Sequence, residues 1–334
     1  MSTSRPPESL PETGDSARRD RERGAVSKPF ELDRSGVRAA FDRASSTYEA
    51  AAVLQSRVAD ELLSRLDPFD FRPQVILDLG AGTGRTTAEI KRRYRRSRVI
   101  ALDHAPGMLR EAIRHQRLFR RFERVCADAA RLPLQSASVD IVFSNLMLQW
   151  CDPLDDALAE VRRILKPQGF FAFSTFGPDT LKELRTAWAE ADTYNHVNRF
   201  LDMHDVGDAI VRAGLQEPVL DVDRMQLTYA DGISLMRDLK SLGARNATAG
   251  RPRSLLGRRR LQRVLSAYEA FRKDGKLPAT YEVVYGVAWG RAGRAGERPG
   301  RTPGPGALPP GTASGTARPG PEVRISPSEI RRKK

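Results

Sequence analysis

Asp78, Gly80, Gly82 and Gly84 occupy alternate positions in the stretch VILDLGAGTG, residues 75–84. An apolar run that ends in an acid and then three spaced glycines reads as a strand feeding a loop that must approach something closely. Glycine permits backbone conformations and approaches that a Cβ would block. A helix starting beyond such a loop offers N–H groups to an anion. A second apolar run, SRVIALD, closes on Asp103, 19 residues after Gly84. A carboxylate at that place can accept both hydroxyls of a ribose.

These residues need a scaffold, and the chain supplies one by alternation. QVILDLG, SRVIALD, FERVCAD, SVDIVFSNL and GFFAFSTFG read as strands. The intervening RTTAEIKRRYRR, PGMLREAIRHQ and DPLDDALAEVRRILKPQG read as helices. Continuous apolar strands that alternate with helices predict a parallel sheet covered on both faces. Before the sheet, residues 35–67 carry apolar residues at helical spacing, in one helix or two. After Phe176 the alternation breaks. Residues 178–215 look helical, 217–229 read as a strand, two helices follow, and ATYEVVYGVAWG reads as a last strand. Residues 1–34 are polar and mixed in charge, and are expected to be disordered; Gly and Pro dominate 291–321 of a basic tail spanning 291–334. The closing EVRISPSEIRRKK reads as a short edge strand or simply as tail.

The total charge is +14, and residues 290–334 hold ten bases against three acids. A basic body suits an acidic partner. The two cysteines, Cys126 and Cys151, show no zinc-type spacing and read as small apolar residues. His196, His204, Asp202 and Asp205 cluster in sequence but match no metal motif, so no metal is expected. With neither a secretory leader nor an 18-residue apolar run, a cytoplasmic protein is the expectation.

The glycine pattern is informative in its spacing. A dinucleotide loop is G-x-G-x-x-G, whereas here the third glycine comes one residue early and an acid precedes the first. A zwitterionic amino acid needs N–H groups for its carboxylate and an acceptor for its ammonium, which Asp78 or adjacent carbonyls can supply. The cofactor that joins an amino acid to adenosine is S-adenosyl-L-methionine. On these motifs and on the following CADAARLPL, residues 75–176 resemble the class I S-adenosylmethionine-dependent methyltransferases. The resemblance implies a Rossmann-like α/β fold: a seven-stranded, mostly parallel sheet with a reversed terminal hairpin and helical lid and insertion segments. It also implies that Asp128 and Ala129 flank the adenine and that Asn145 lies beside the methionine end.

The flanks carry the finer resemblance. FDRASSTYEAAAVLQSRVADELL, FGPDTLKELRTAW, HVNRFLDMHDVGDAIVRAG, LMRDLKSLGARNATAGR and LPATYEVVYG together resemble the malonyl-acyl-carrier-protein O-methyltransferases of biotin synthesis, over roughly residues 36–289. This implies methyl transfer to a free malonyl carboxylate and, as partner, an acidic acyl-carrier protein bearing a malonyl-phosphopantetheine arm. Neither nucleic acid nor membrane is expected, and the chain is expected to act as a monomer. A carboxylate is ionised at neutral pH, so no general base is required. A cation for the second carboxylate oxygen is required, and Arg suits it; the candidates are Arg199, then Arg251, then Lys240. Tyr48 is the candidate facing the sulfonium or orienting the substrate. Arg251, Arg253, Arg258, Arg259, Arg260 and Arg263 form a basic patch that could steer an acidic carrier. The alternatives are a methyltransferase for another small acid or a quinone precursor, and a catalytically silent binding protein.

Overall fold

The computed structural model describes residues 31–70, 72–244, 246–248, 257–290 and 323–325. The N-terminal residues form two helices, α1 (Arg34–Ala51) and α2 (Val53–Ser64), separated by a break at Ala52. Five parallel strands follow: β1 (Val75–Leu79), β2 (Arg98–Asp103), β3 (Glu123–Cys126), β4 (Val139–Asn145) and β5 (Leu165–Phe176). Between them run α3 (Arg85–Arg93), α4 (Pro106–Glu111) and α5 (Leu154–Ile164). Then come α6 (Lys182–Ala189), α7 (Met203–Arg212), β6 (Gln216–Tyr229), α8 (Gly232–Ser241), α9 (Arg258–Glu269) and β7 (Leu277–Trp289).

The sheet order is β3-β2-β1-β4-β5-β7-β6-β8, where β8 is Val323–Ile325. β7 runs antiparallel to both β5 and β6, so the expected reversed hairpin is present. The sheet has one strand more than the seven expected. β8 lies parallel to the Met225–Leu227 part of β6, so the edge-strand alternative holds for these three residues of the tail.

Strand period 2 sorts the core into two layers. Ile76, Ile141, Phe143, Phe170 and Ala172 face the cluster that includes Leu62 of α2, Leu184 of α6, Leu235 of α8 and Val264 of α9. Leu77, Val142, Phe171 and Phe173 face the opposite cluster, with Leu158 and Val161 of α5 and Ile210 of α7. Because alternate side chains are buried on both sides, the strands read as unbroken apolar runs.

Three boundaries differ from the sequence reading. Part of the segment expected to be disordered is ordered: Asp33 caps α1 by accepting from the Gly36 N–H at 2.9 Å, and Arg34 opens the helix. Residues 178–215 hold two short helices with non-helical chain between them. The helix at 154 stops at Ile164, before the Pro-x-Gly signal, and Leu165–Phe176 is already strand; proline disfavours the helical region for the residue before it. Among the described residues no helix is long and apolar enough to cross a membrane.

Candidate active site

The sheet order reverses between β1 and β4, which lie on either side of the crevice where open α/β sheets bind ligands. The glycine loop follows β1 at that crevice. Gly80, Gly82 and Gly84 all have positive φ, at 80°, 53° and 78°. Their surroundings differ. A Cβ on Gly80 would come within 2.3 Å of Met147 Cγ, and one on Gly84 within 2.7 Å of Ala112 Cβ. A Cβ on Gly82 would meet only Tyr48 Cε1, at 3.9 Å. Gly80 and Gly84 therefore serve packing, and Gly82 keeps open the floor of a cleft.

Four of the loop's N–H groups have partners within the protein. Gly80 and Ala81 donate to Leu102 O, Gly84 donates to Ala81 O, and Gly82 donates to Asp103 Oδ2 at 2.9 Å. The loop thus contributes shape and a fixed Asp103, and α3 starts directly beyond it at Arg85 with no side-chain cap. The other oxygen of Asp103 accepts from Ala105 N at 2.8 Å. Burial pushes this carboxyl above its usual range, and the two N–H donors oppose the shift.

The cleft is walled by Leu79, Gly80, Gly82, Asp103, Asp128, Ala129, Asn145 and Met147 from the strand ends, and roofed by Arg34, Val37, Phe41 and Tyr48 of α1. Asp128 Oδ1 accepts from Ala130 N at 3.0 Å, and its Oδ2 lies 3.5 Å from Arg34 Nη1. Asn145 is fixed at both ends of its amide: Nδ2 donates to Gln55 O at 3.0 Å, and Oδ1 accepts from Ser174 Oγ at 2.9 Å. Phe41 meets Trp150 edge-on, with centroids 5.2 Å apart. α1 is pinned in place: Gly107 N donates to Asp42 Oδ1, Thr47 Oγ1 donates to Ser241 O, and Arg34 Nε donates to Asp152 O.

Asp78 and Gly84 are absent from the cleft wall. Asp78 is 1% exposed beneath the loop, where Thr87 Oγ1 donates to its Oδ2 at 2.5 Å. Burial pushes its carboxyl up to about 7; the Thr87 hydroxyl opposes this and the charge of Asp103 adds to it. The carboxyl of Asp78 therefore lies behind the loop and not in the cleft wall. Burial also raises the Tyr48 hydroxyl above the tyrosine range, with Asp103 adding to the effect, and pushes the Cys151 thiol up to about 12.

Sequence reasoning missed Arg34, assigned there to a disordered segment, and Met147. The aspartate three residues before Gly36 was an available capping signal for a helix that starts at Arg34. The predicted substrate cations are not brought together. Arg199 and Lys240 are exposed and outside the cleft wall. Arg251 lies outside the described residues, as does Arg253 of the basic patch. The remaining patch divides: Arg259 and Arg263 share an open face with Gln262 and Ser266, while Arg260 Nε turns to Asp192 Oδ2 at 3.2 Å. Among the described residues no cluster could hold a metal ion.

A half-buried acid fixed beside an open glycine floor, apolar walls and a second acid at the next strand end fit S-adenosyl-L-methionine by shape and donor set. The fold and cleft are those of a class I methyltransferase, and residues 77–173 match the methyltransferase-domain family. A solved structure from Bacillus halodurans, described as a candidate methyltransferase, shares the fold at a TM-score of 0.51 and 15% identity, covering 70% of this chain and 99% of that one.

The sequence relatives are more specific. A malonyl-[acyl-carrier protein] O-methyltransferase of Methylovorus sp. is 54% identical over 261 residues, which is 76% of this chain and 88% of the relative. One from Laribacter hongkongensis is 52% identical over 269 residues, 78% of this chain and 91% of the relative. The chain belongs to the malonyl-[acyl-carrier protein] O-methyltransferase family.

Proposed function

We propose that this protein transfers a methyl group from S-adenosyl-L-methionine to the free carboxylate of a malonyl thioester on an acyl-carrier protein, giving the methyl ester that primes pimeloyl and biotin synthesis. The observation that carries this reading is the extent of the match. Relatives named for the reaction align over 88% and 91% of their length and over 76% and 78% of this chain, well beyond the matched methyltransferase domain at 77–173.

The bound cofactor supplies an electrophilic methyl group on a sulfonium, whose sulfur leaves as a neutral thioether. The chain's own residues bind, orient and exclude water. Asp103 holds the ribose hydroxyls with the lone pairs that Gly82 and Ala105 leave. Asp128 and Ala129 flank the adenine, with Arg34 on the outer side of Asp128. Asn145, fixed by Gln55 O and Ser174 Oγ, stands at the methionine end. Gly80, Gly82 and Gly84 shape the loop, and Asp78 braces it from behind.

The substrate carboxylate arrives ionised, since unperturbed carboxyl groups titrate near ~4. Its oxygen attacks the methyl carbon and no proton moves. This suits a cleft in which Tyr48 and Cys151 both stay protonated at neutral pH. Rate comes from alignment and from water exclusion by α1. The second carboxylate oxygen takes a cation, for which Arg199, then Arg251, then Lys240 stand as candidates by residue type and segment.

The partner is an acidic acyl-carrier protein, received by the basic face of α9. That helix leads into β7, whose Leu277–Tyr281 end lies beyond the carboxyl ends of the parallel strands, on the side of the cleft. The protein works as a cytoplasmic monomer. The test is release of S-adenosylhomocysteine from a panel of malonyl-carrier, acetyl-carrier, free malonate and aconitate. Turnover only with malonyl-carrier supports the reading; turnover with aconitate alone overturns it.

A further inference from the structure

Between α4 and β3 the chain makes a tight turn, Arg117-Leu118-Phe119-Arg120. A bridge between its outer residues closes it, and Arg120 N donates to Arg117 O at 2.9 Å. The corners of such a turn are ordinarily filled by Gly, Pro, Asn, Asp or Ser. Here they are Leu118 and Phe119, 70% and 92% exposed. Phe119 is the most exposed large apolar side chain among the described residues, and Ile113 before the turn is half exposed. The turn is braced from behind. Gln116 Nε2 donates to Phe122 O at 2.9 Å, and Ala112 and Phe122 on either side are buried in the core. An exposed apolar patch rimmed by polar residues marks an interaction site.

The rim here is positive. Arg117 and Arg120 flank the two corners, and Arg121 follows. None of the three guanidinium groups has an ion-pair partner among the described residues. The acids of the segment are taken: Glu111 by Arg114 at 2.5 Å, and Glu123 by Arg98 at 2.6 Å. A fitting partner is therefore anionic at its surface and apolar just beneath.

Shape and chemistry decide among anionic partners. A second copy of this chain would bring arginines against arginines. A single-stranded nucleic acid needs successive stacking faces, and Phe119 supplies one. A protein would need a pocket matched to a convex pair of side chains. A lipid interface has phosphates outside and acyl chains beneath, and it takes a convex apolar tip with no matching pocket. Arginine suits that boundary, because its stem can lie on apolar surface while the guanidinium stays with the phosphates.

We infer that the Leu118-Phe119 turn is a docking point for an anionic lipid surface. Both side chains enter the acyl boundary, and Arg117, Arg120 and Arg121 meet headgroup phosphates. The contact is peripheral and reversible, since two apolar side chains and three cations fall far short of a permanent anchor. It departs from the sequence expectation of no membrane contact, and it is independent of the malonyl-carrier reading.

The test is co-sedimentation of the full-length enzyme with two kinds of vesicle: phosphatidylcholine alone, and phosphatidylcholine mixed equally with phosphatidylglycerol. Binding is expected to the mixed vesicles only. Leu118→Ser combined with Phe119→Ser leaves every charge in place, so it separates the turn from the basic α9 and the basic tail. It should weaken binding at least tenfold, because burial of one large apolar side chain already corresponds to about that factor. Arg117→Gln and Arg121→Gln should each weaken it about fivefold. In Phe119→Trp, tryptophan emission should shift to the blue when mixed vesicles are added. None of these residues lines the cofactor cleft, and unchanged melting and S-adenosylhomocysteine affinity confirm that each variant folds. Wild-type enzyme that stays in the supernatant with mixed vesicles overturns the inference, as does equal binding by the doubly substituted enzyme. Substitutions that raise KM for malonyl-carrier and leave vesicle binding unchanged overturn it too, and assign the turn to the carrier.

Discussion

Gly82 and Gly84 of the cofactor loop should fail in different ways when each gains a methyl group. Gly82→Ala places a Cβ where the nearest protein atom is Tyr48 Cε1 at 3.9 Å, so nothing in the apo protein is displaced. The cost to folding is the left-handed backbone at φ 53°, about 1–2 kcal/mol. For a domain of this size that is roughly 2–8 °C in Tm. The added methyl instead occupies the cleft floor, and cofactor affinity should drop at least tenfold, or about 1.4 kcal/mol. Gly84→Ala has the same backbone strain, and its Cβ also falls 2.7 Å from Ala112 Cβ in a fully buried contact. Overpacking adds about 1–3 kcal/mol, giving roughly 2–5 kcal/mol in all. Calorimetric melting and titration with S-adenosylhomocysteine separate the two effects. The expected pattern is a small Tm loss with a large affinity loss for Gly82→Ala, and a large Tm loss for Gly84→Ala. Gly82→Ala protein that binds cofactor as tightly as wild type would refute the assignment of Gly82 to the cleft floor.

Other outcomes follow from the same geometry. The apo protein should lose stability as pH rises. Asp78 titrates at about 7 when folded, against 3.8 for the ordinary carboxyl, so the folded state holds the extra proton and the contribution present below pH 4 is gone above pH 7. The amplitude is on the order of 4 kcal/mol, and denaturant titrations of Asp78→Asn should show that slope flattened. Asp103→Asn turns one amide N–H toward either Gly82 N or Ala105 N, and a donor facing a donor should weaken cofactor binding by about 1–3 kcal/mol in calorimetry. Arg34→Ala removes a contact to Asp128 between side chains that are 38% and 36% exposed; such pairs contribute about 0–1 kcal/mol, so cofactor affinity should change fivefold at most. Arg259→Glu combined with Arg263→Glu should raise KM for malonyl-carrier and flatten its salt dependence, with smaller effect on a malonyl thioester lacking the carrier.

The cofactor half of the site was legible because it is local. Strand, glycine loop, helix and the acid ending the next strand lie within residues 75–103, and each has a period or spacing of its own. The end of the parallel pattern was legible at Phe176, whereas the reversed hairpin came from the family resemblance and not from any local pattern. The roles of single residues were less so. Asp78 looks like a ligand in sequence, yet the period of β1 turns it under the loop toward Thr87. Gly84 looks like its two neighbours, and only the packing of Ala112 against it reveals its different task. Other neighbourhoods assemble from residues far apart in the chain: Gln55 lines one small cavity with Tyr229 and Tyr281, more than a hundred positions away. No local pattern marks that meeting. Arg199 and Lys240 were chosen by residue type and by the segment that carries them, neither of which fixes the direction a side chain takes.

The most direct measurement is the intact mass of malonyl-acyl-carrier protein after incubation with this enzyme and S-adenosyl-L-methionine. The account predicts one added methyl group on the malonyl-carrier and none on acetyl-carrier, which lacks the carboxylate. An unmodified malonyl-carrier, from enzyme that demonstrably binds the cofactor, would contradict it.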